Sequence, residues 1–256
     1  MGNAIPHSQR GFTLIEMSIV LVIIGLIVGG ILKGQELIES SRQKNMISQV
    51  DRFKAATTTF VDRFKGLPGD FSRIALLQNS GLLDGGDDSG VIGATAGNVA
   101  ALDVMENNAA NEPFQYFNML LAAGLGTGGS MSNTNPSCFS GLCNTGSPLP
   151  ASAFPQSGLS IVYGTHEGLT TGGSSKQAHW LRLSRWVAPG NGLAGGVADG
   201  VVSPERAYQI DNKYDDGNAN AGNIRSLQLG TSCGDGTTDY VATGTAVACH
   251  LVFAVE

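Results

Sequence analysis

Apolar side chains run from Phe12 to Leu32 with Glu16 as the only charge, then thin into a stripe that continues to about Lys65. About 20 apolar residues carry a helix across a bilayer core, so this run is long enough to span one. Beyond it Met46, Val50, Phe53, Phe60, Val61 and Phe64 recur at helical spacing. Arg42, Lys44, Asp51, Arg52, Lys54, Asp62 and Arg63 fill the positions between them, which is the mark of a helix with one face on a core. The pattern predicts a single helix from Phe12 to about Lys65. Gly66-Leu67-Pro68-Gly69 ends it, because Pro68 biases Leu67 away from helix and the glycines permit a sharp turn.

Farther along, Glu112 to Gly124 reads as a short helix, with Pro113 in its first turn and Gly124 at its end. Leu159 to Tyr163, His179 to Val187, Ser203 to Ile210 and Val247 to Val255 read as strands bounded by Gly and Pro, although Ala207 to Ile210 also fits a helix. In the last of these, Val247, Cys249, Leu251, Phe253 and Val255 share one face. That face is expected to meet the amphipathic half of the long helix, giving an α+β domain with a helix laid on an antiparallel sheet. Gly85 to Asn98 and Gly124 to Gly158 read as long surface excursions. The 36 glycines, with many Asn, Ser and Thr after residue 80, point to a loop-rich head.

Glu16 is the anomaly in the apolar run. A carboxylate at the centre of a membrane costs on the order of 2.5 to 3.5 kcal/mol, so such a residue marks a function and a partner. A cut between Gly11 and Phe12 would create that partner, because Phe12 would gain a free α-amino group that is positively charged near neutral pH. A secretory signal peptide fits less well: its apolar core is 7 to 15 residues long and precedes the cleavage site, whereas here the run is longer and Gly11 comes first. A plain signal anchor explains the length but not the acid.

Gly11-Phe12-Thr13-Leu14, Glu16 and the run through Leu32 resemble the start of type IV pilins and pseudopilins. The resemblance covers roughly the first quarter of the chain. It implies cleavage by a prepilin peptidase after Gly11, methylation of the Phe12 amine, and a role for Glu16 in neutralising a neighbouring subunit's terminus during assembly. It further implies a leader at 1–11, a transmembrane or filament-core helix at 12–32, its amphipathic continuation at 33–66 and a globular β head at 67–256. The implied partners are copies of the chain and other pilins, the peptidase, the inner-membrane assembly machinery and, before assembly, the membrane. The implied locations are the inner membrane for the precursor and an extracellular or periplasmic filament for the mature subunit. Shaft pilins, low-copy tip or DNA-uptake subunits and secretion pseudopilins share this amino terminus, and about 245 mature residues is large for a shaft subunit. Gly25, Gly29, Gly30 and Gly34 soften the helix, and Gly25-x-x-x-Gly29 matches a close-packing pattern of membrane helices.

Charge and candidate chemistry change this picture little. The net charge is −6, and loss of Arg10 with the leader makes it −7. An acidic surface argues against nucleic acid as the main partner, which needs clustered Lys and Arg. Cys138, Cys143, Cys233 and Cys249 allow three pairings, and an exported chain would oxidise them. The favoured set joins Cys138 to Cys143 and Cys233 to Cys249, the latter resembling the disulfide-bounded C-terminal region that many pilins display. Zinc lacks a Cys-x-x-Cys pair. Asp84 to Gly90 and Asp211 to Asn218 offer hard oxygen ligands on flexible backbone, which makes Asp211, Asp215 and Asp216 candidate calcium ligands, although Asp and Gly also build turns without metal. Trp180, Arg182 and Trp186 would share a strand face, either as a platform for bases or sugars or as packed side chains. His7, His166, His179 and His250 sit in no recognisable nucleophile or metal motif, so the chain is expected not to be an enzyme and to need no cofactor beyond that candidate calcium.

Overall fold

The computed structural model describes residues 13–79, 81, 83–92, 112–126, 150–155, 157–166, 176–185, 200–227, 233–234, 240, 247 and 249–255. The chain forms two compact units, Met1–Lys44 and Asn45–Glu256. Helix α1, Leu14–Phe64, begins in the first and ends in the second. Lys65 takes a positive φ of 57° directly after it, and Gly69 takes 95°, so the chain turns where the Gly-Leu-Pro-Gly segment predicts.

In the second unit α1 buries Met46, Val50, Phe53, Ala56, Thr57 and Phe60. These positions recur every three or four residues, so they line one face. Helix α2, Glu112–Ala122, lies against it. The Phe53 and Phe117 rings meet edge to face at 5.3 Å, and the Thr57 hydroxyl bonds the Tyr116 hydroxyl at 2.6 Å in the interior. Gly69 is pressed on α2: an added Cβ would stand 2.7 Å from the Glu112 carbonyl. The same core takes Leu159 and Ile161 from β1, Ser157–His166, and Leu181 and Leu183 from β2, Lys176–Arg185.

Helix α3, Pro204–Tyr214, follows, then β3, Ile224–Leu227, and β4, His250–Ala254. Among the described residues the sheet has four antiparallel strands in the order β1-β2-β4-β3. One sheet face joins the core through Leu181, Leu183, Leu251 and Phe253. The other holds a smaller apolar cluster of Ala178, Trp180, Val252 and Ala254. Cys233 and Cys249 are joined in a disulfide, Cα to Cα 5.1 Å, and Cys249 pairs with Val202 just before β4.

Three expectations about elements are corrected. Ser203 to Ile210 is not a strand, because Pro204 opens a helix, Glu205 sits in its first turn, and Ala207, Ile210 and Asp211 are buried at helical spacing. The last strand begins at His250 rather than Val247, whose side chain is 49% exposed. Strands β1 and β2 extend beyond Tyr163 and upstream of His179 because they pair over ten positions from Ser157↔Arg185 to His166↔Lys176.

Candidate functional site

The apolar part of α1 is exposed among the described residues. Leu14, Leu21, Leu26 and Leu32 are 62 to 88% exposed, and the most apolar 18-residue window, with mean hydropathy 2.6, is not buried at all. By length and composition this helix is able to cross a membrane, a medium that removes the cost of such exposure. Among the described residues, apart from the helix's own neighbouring backbone, no atom lies within 4 Å of where a Cβ would stand on Gly25, Gly29, Gly30 or Gly34, so none of those residues requires glycine there. The exposed Lys33–Glu36 pair at 2.6 Å marks the first cation after the run, and a surface pair of this kind stabilises by little.

Glu16 lies in the first turn of α1 and is held by Thr13. The Thr13 amide donates to Glu16 Oε2 at 2.8 Å and the Thr13 hydroxyl to the same oxygen at 2.7 Å. In return the Glu16 amide donates to Thr13 Oγ1 at 3.3 Å. This is a reciprocal capping box, which satisfies amide groups that an α-helix leaves without partners at its amino end. The Thr-x-x-Glu spacing before an apolar run signals it directly, yet a reading centred on the charge of Glu16 passed over Thr13 as a functional partner. Gly11 and Phe12 lie outside the described residues.

The acidic stretch after α3 converges. Asp211, Asp215 and Asp216 each offer a carboxylate oxygen within 4.8 Å of the others. Asp211 is fully buried, and burial pushes its carboxyl up to about 6; hydrogen bonds from the Tyr240 hydroxyl and the Gly217 amide oppose the shift, while Asp216 and Asp215 add to it. The Asp215 carboxylate accepts the Asn223 and Ile224 amides. Asp216 accepts the Asn218 amide at 2.9 Å, so all three acids also fasten the turn that leads into β3. The earlier stretch folds onto the segment after α1: Asp70 accepts the Ser89 and Gly90 amides at 2.9 and 2.8 Å, and Asp88 accepts the Ser72 amide at 3.1 Å. Asp70, Asp87 and Glu112 converge there as well.

The aromatic and basic strand face is interior. Trp180 is fully buried, Arg182 nearly so, and the Trp180 indole donates to the Gly164 carbonyl at 3.1 Å. The guanidinium of Arg225 lies 5.5 Å and the Lys176 amine 5.8 Å from the Trp180 ring. A base-stacking platform needs an open ring face, so the packing reading holds for Trp180; Trp186 lies outside the described residues, as do Cys138 and Cys143. His179 Nε2 accepts the Ile92 amide at 3.3 Å. His250 is buried, and burial, then the nearby Arg182 charge, pushes its imidazole down to about 4, while the Leu183 backbone opposes the shift.

Helix and sheet define an α+β protein with a membrane-capable amino-terminal helix whose first acid is locked in a cap. Residues 6–32 match the family model for the prokaryotic N-terminal methylation motif, so the chain carries the prepilin-type signal of type IV pilin-like precursors. Comparison with curated proteins and with solved structures finds no match.

Proposed function

We propose that the chain is a type IV pilin-like subunit, cut between Gly11 and Phe12, methylated on Phe12 and assembled through its apolar helix into an extracellular or periplasmic filament. The observation that carries this reading is the methylation motif at the head of a helix whose large apolar residues from Leu14 to Leu32 are all left exposed. Such a surface needs lipid before assembly and other helices afterwards. A structural subunit accounts for the motif, whereas an active site would leave it unexplained. Glu16 is the assembly residue in this reading, because its charge in an apolar medium is stabilised by a partner amine. Glu16→Ala is expected to be processed normally and to lose filament incorporation by about a hundredfold, the factor corresponding to roughly 3 kcal/mol of unpaired charge. Mass spectrometry of the native amino terminus and blotting of sheared filaments read the two steps separately. An intact Met1, or full incorporation of Glu16→Ala, withdraws the proposal. A low-copy ligand-binding subunit or a secretion pseudopilin would show the same processing with scarce filament copies.

Calcium at Asp211, Asp215 and Asp216 is a separate proposal, supported by the convergence of three carboxylates and by the raised Asp211 carboxyl. A divalent cation would offset the burial of the Asp211 charge as well as its repulsion by Asp216 and Asp215.

A further inference from the structure

We propose that Thr13 is the positioning residue for Glu16, and that the carboxylate is presented to its partner amine with one oxygen already committed to Thr13. This rests on the assembly role given to Glu16 above and adds how that role is prepared. The Thr13 amide and hydroxyl both donate to Oε2, at 2.8 and 2.7 Å. Oε1 accepts from no group among the described residues. A cut between Gly11 and Phe12 leaves the Phe12–Thr13 peptide whole, so both donors persist in the processed chain.

Hydrogen bonds to an ionised acceptor are about twice as strong as neutral ones, and in lipid no water competes for the carboxylate. Two such bonds on one oxygen hold the Glu16 side chain in a single conformation while the subunit waits in the membrane. Oε1 is then the oxygen that takes the Phe12 amine of a second copy. Without the hydroxyl, Glu16 keeps only the amide bond and its orientation loosens. That change weakens the pairing that assembly uses.

The test compares Thr13→Val, Thr13→Ser, Glu16→Ala and the double variant Thr13→Val/Glu16→Ala in the full-length chain, scoring sheared filament yield per processed molecule. Thr13→Val is expected to lower incorporation about tenfold, the effect of losing one hydrogen bond to a charged group. Thr13→Ser, which keeps the hydroxyl, restores near-normal yield. In the Glu16→Ala background Thr13→Val adds no further loss, because a residue that acts through Glu16 has nothing left to position. Normal yield from Thr13→Val beside an impaired Glu16→Ala overturns this inference alone; normal yield from Glu16→Ala overturns the assembly reading together with it. A Thr13→Ser variant as poor as Thr13→Val, or an additive double variant, also overturns it. If Thr13→Val escapes processing, Thr13→Ala takes its place, and failure of both to be cut assigns Thr13 to the peptidase instead.

Discussion

Two stretches of α1 carry large apolar residues in different patterns and meet opposite fates. From Leu14 to Leu32 they are exposed on every side of the helix; from Met46 to Phe60 they fall on one face and are buried. The difference lies in what separates them. In the later stretch Asp51, Arg52, Lys54 and Asp62 confine the apolar positions to a stripe, and a stripe is matched by one sheet and one short helix. In the earlier stretch no polar face exists, so no globular partner of this size is able to cover it. Composition along a single helix thus separates a stretch whose stability is set within the chain from one whose stability is set by its surroundings.

The sharpest way to break that comparison is to shave one side chain from each stretch. Phe60 is fully buried and touches the Phe64 and Phe71 rings at 4.6 and 5.7 Å, so Phe60→Ala is expected to destabilise the head by about 3 to 5 kcal/mol. Leu26→Ala removes an exposed side chain and is expected to change the same melt by less than about 0.5 kcal/mol. Thermal unfolding of the full chain in detergent micelles reads both. A Leu26→Ala loss as large as that of Phe60→Ala would mean that the earlier stretch contributes to the same cooperative melt.

Within the head, the pH dependence of the melt separates two buried acid–base groups of opposite sign. His250 has a folded value of about 4 against an ordinary 6.5, so its contribution is complete above pH 6.5 and is lost as pH falls toward 4, by up to roughly 3 kcal/mol. Asp211 has a folded value of about 6 against 3.8, so the stability associated with its neutral form is complete below pH 3.8 and is lost as pH rises through 6. The two slopes oppose each other between pH 4 and 6. His250→Leu should leave stability falling with rising pH there, and Asp211→Asn should leave it rising; unchanged slopes in both variants would show that neither group binds protons differently in the folded and unfolded states. The same melts with added Ca²⁺ test the acidic loop: a rise in melting temperature that Asp211→Asn abolishes supports the calcium proposal, and no rise retires it.

Much of this was legible before the fold was known, and what was not has physical causes. Helix α1 was readable to within a residue or two because an apolar run and a long-lived helical period are local signals, and Gly66 and Pro68 punctuate its end. The opening of α3 at Ser203-Pro204-Glu205 carries a helix-start pattern, but Val201, Val202 and the alternation through Ile210 imitate a strand, and only burial of Ala207, Ile210 and Asp211 decides between them. Strand β3 went unread because Ile224-Arg225-Ser226-Leu227 is too short to show a period; its position depends on amides held by Asp215 nine residues away and on the partner β4. Trp180 and Arg182 were placed on one strand face correctly, yet no sequence pattern tells whether that face is covered. The Thr13-x-x-Glu16 spacing signals the cap in the sequence, while the convergence of the Thr13 amide and hydroxyl on one Glu16 oxygen shows only in the fold.

The smallest expected effect concerns glycine, which serves different ends in the two stretches. Gly69 has φ of 95° and an added Cβ would meet the Glu112 carbonyl at 2.7 Å, so Gly69→Ala is strained twice and should lower head stability by more than about 1 kcal/mol. Gly25 sits in regular helix with open space around it, and Gly25→Ala should favour the isolated helix by up to about 1 kcal/mol. A glycine retained where alanine suits the monomer better implies a neighbour that needs its missing side chain, as close helix packing does. Gly25→Ala is therefore expected to leave the head's melt unchanged while lowering filament yield a few-fold. Equal yield would assign Gly25 to flexibility of the helix rather than to contact with a second copy, and would confine the close-packed part of the assembly to other positions along the run.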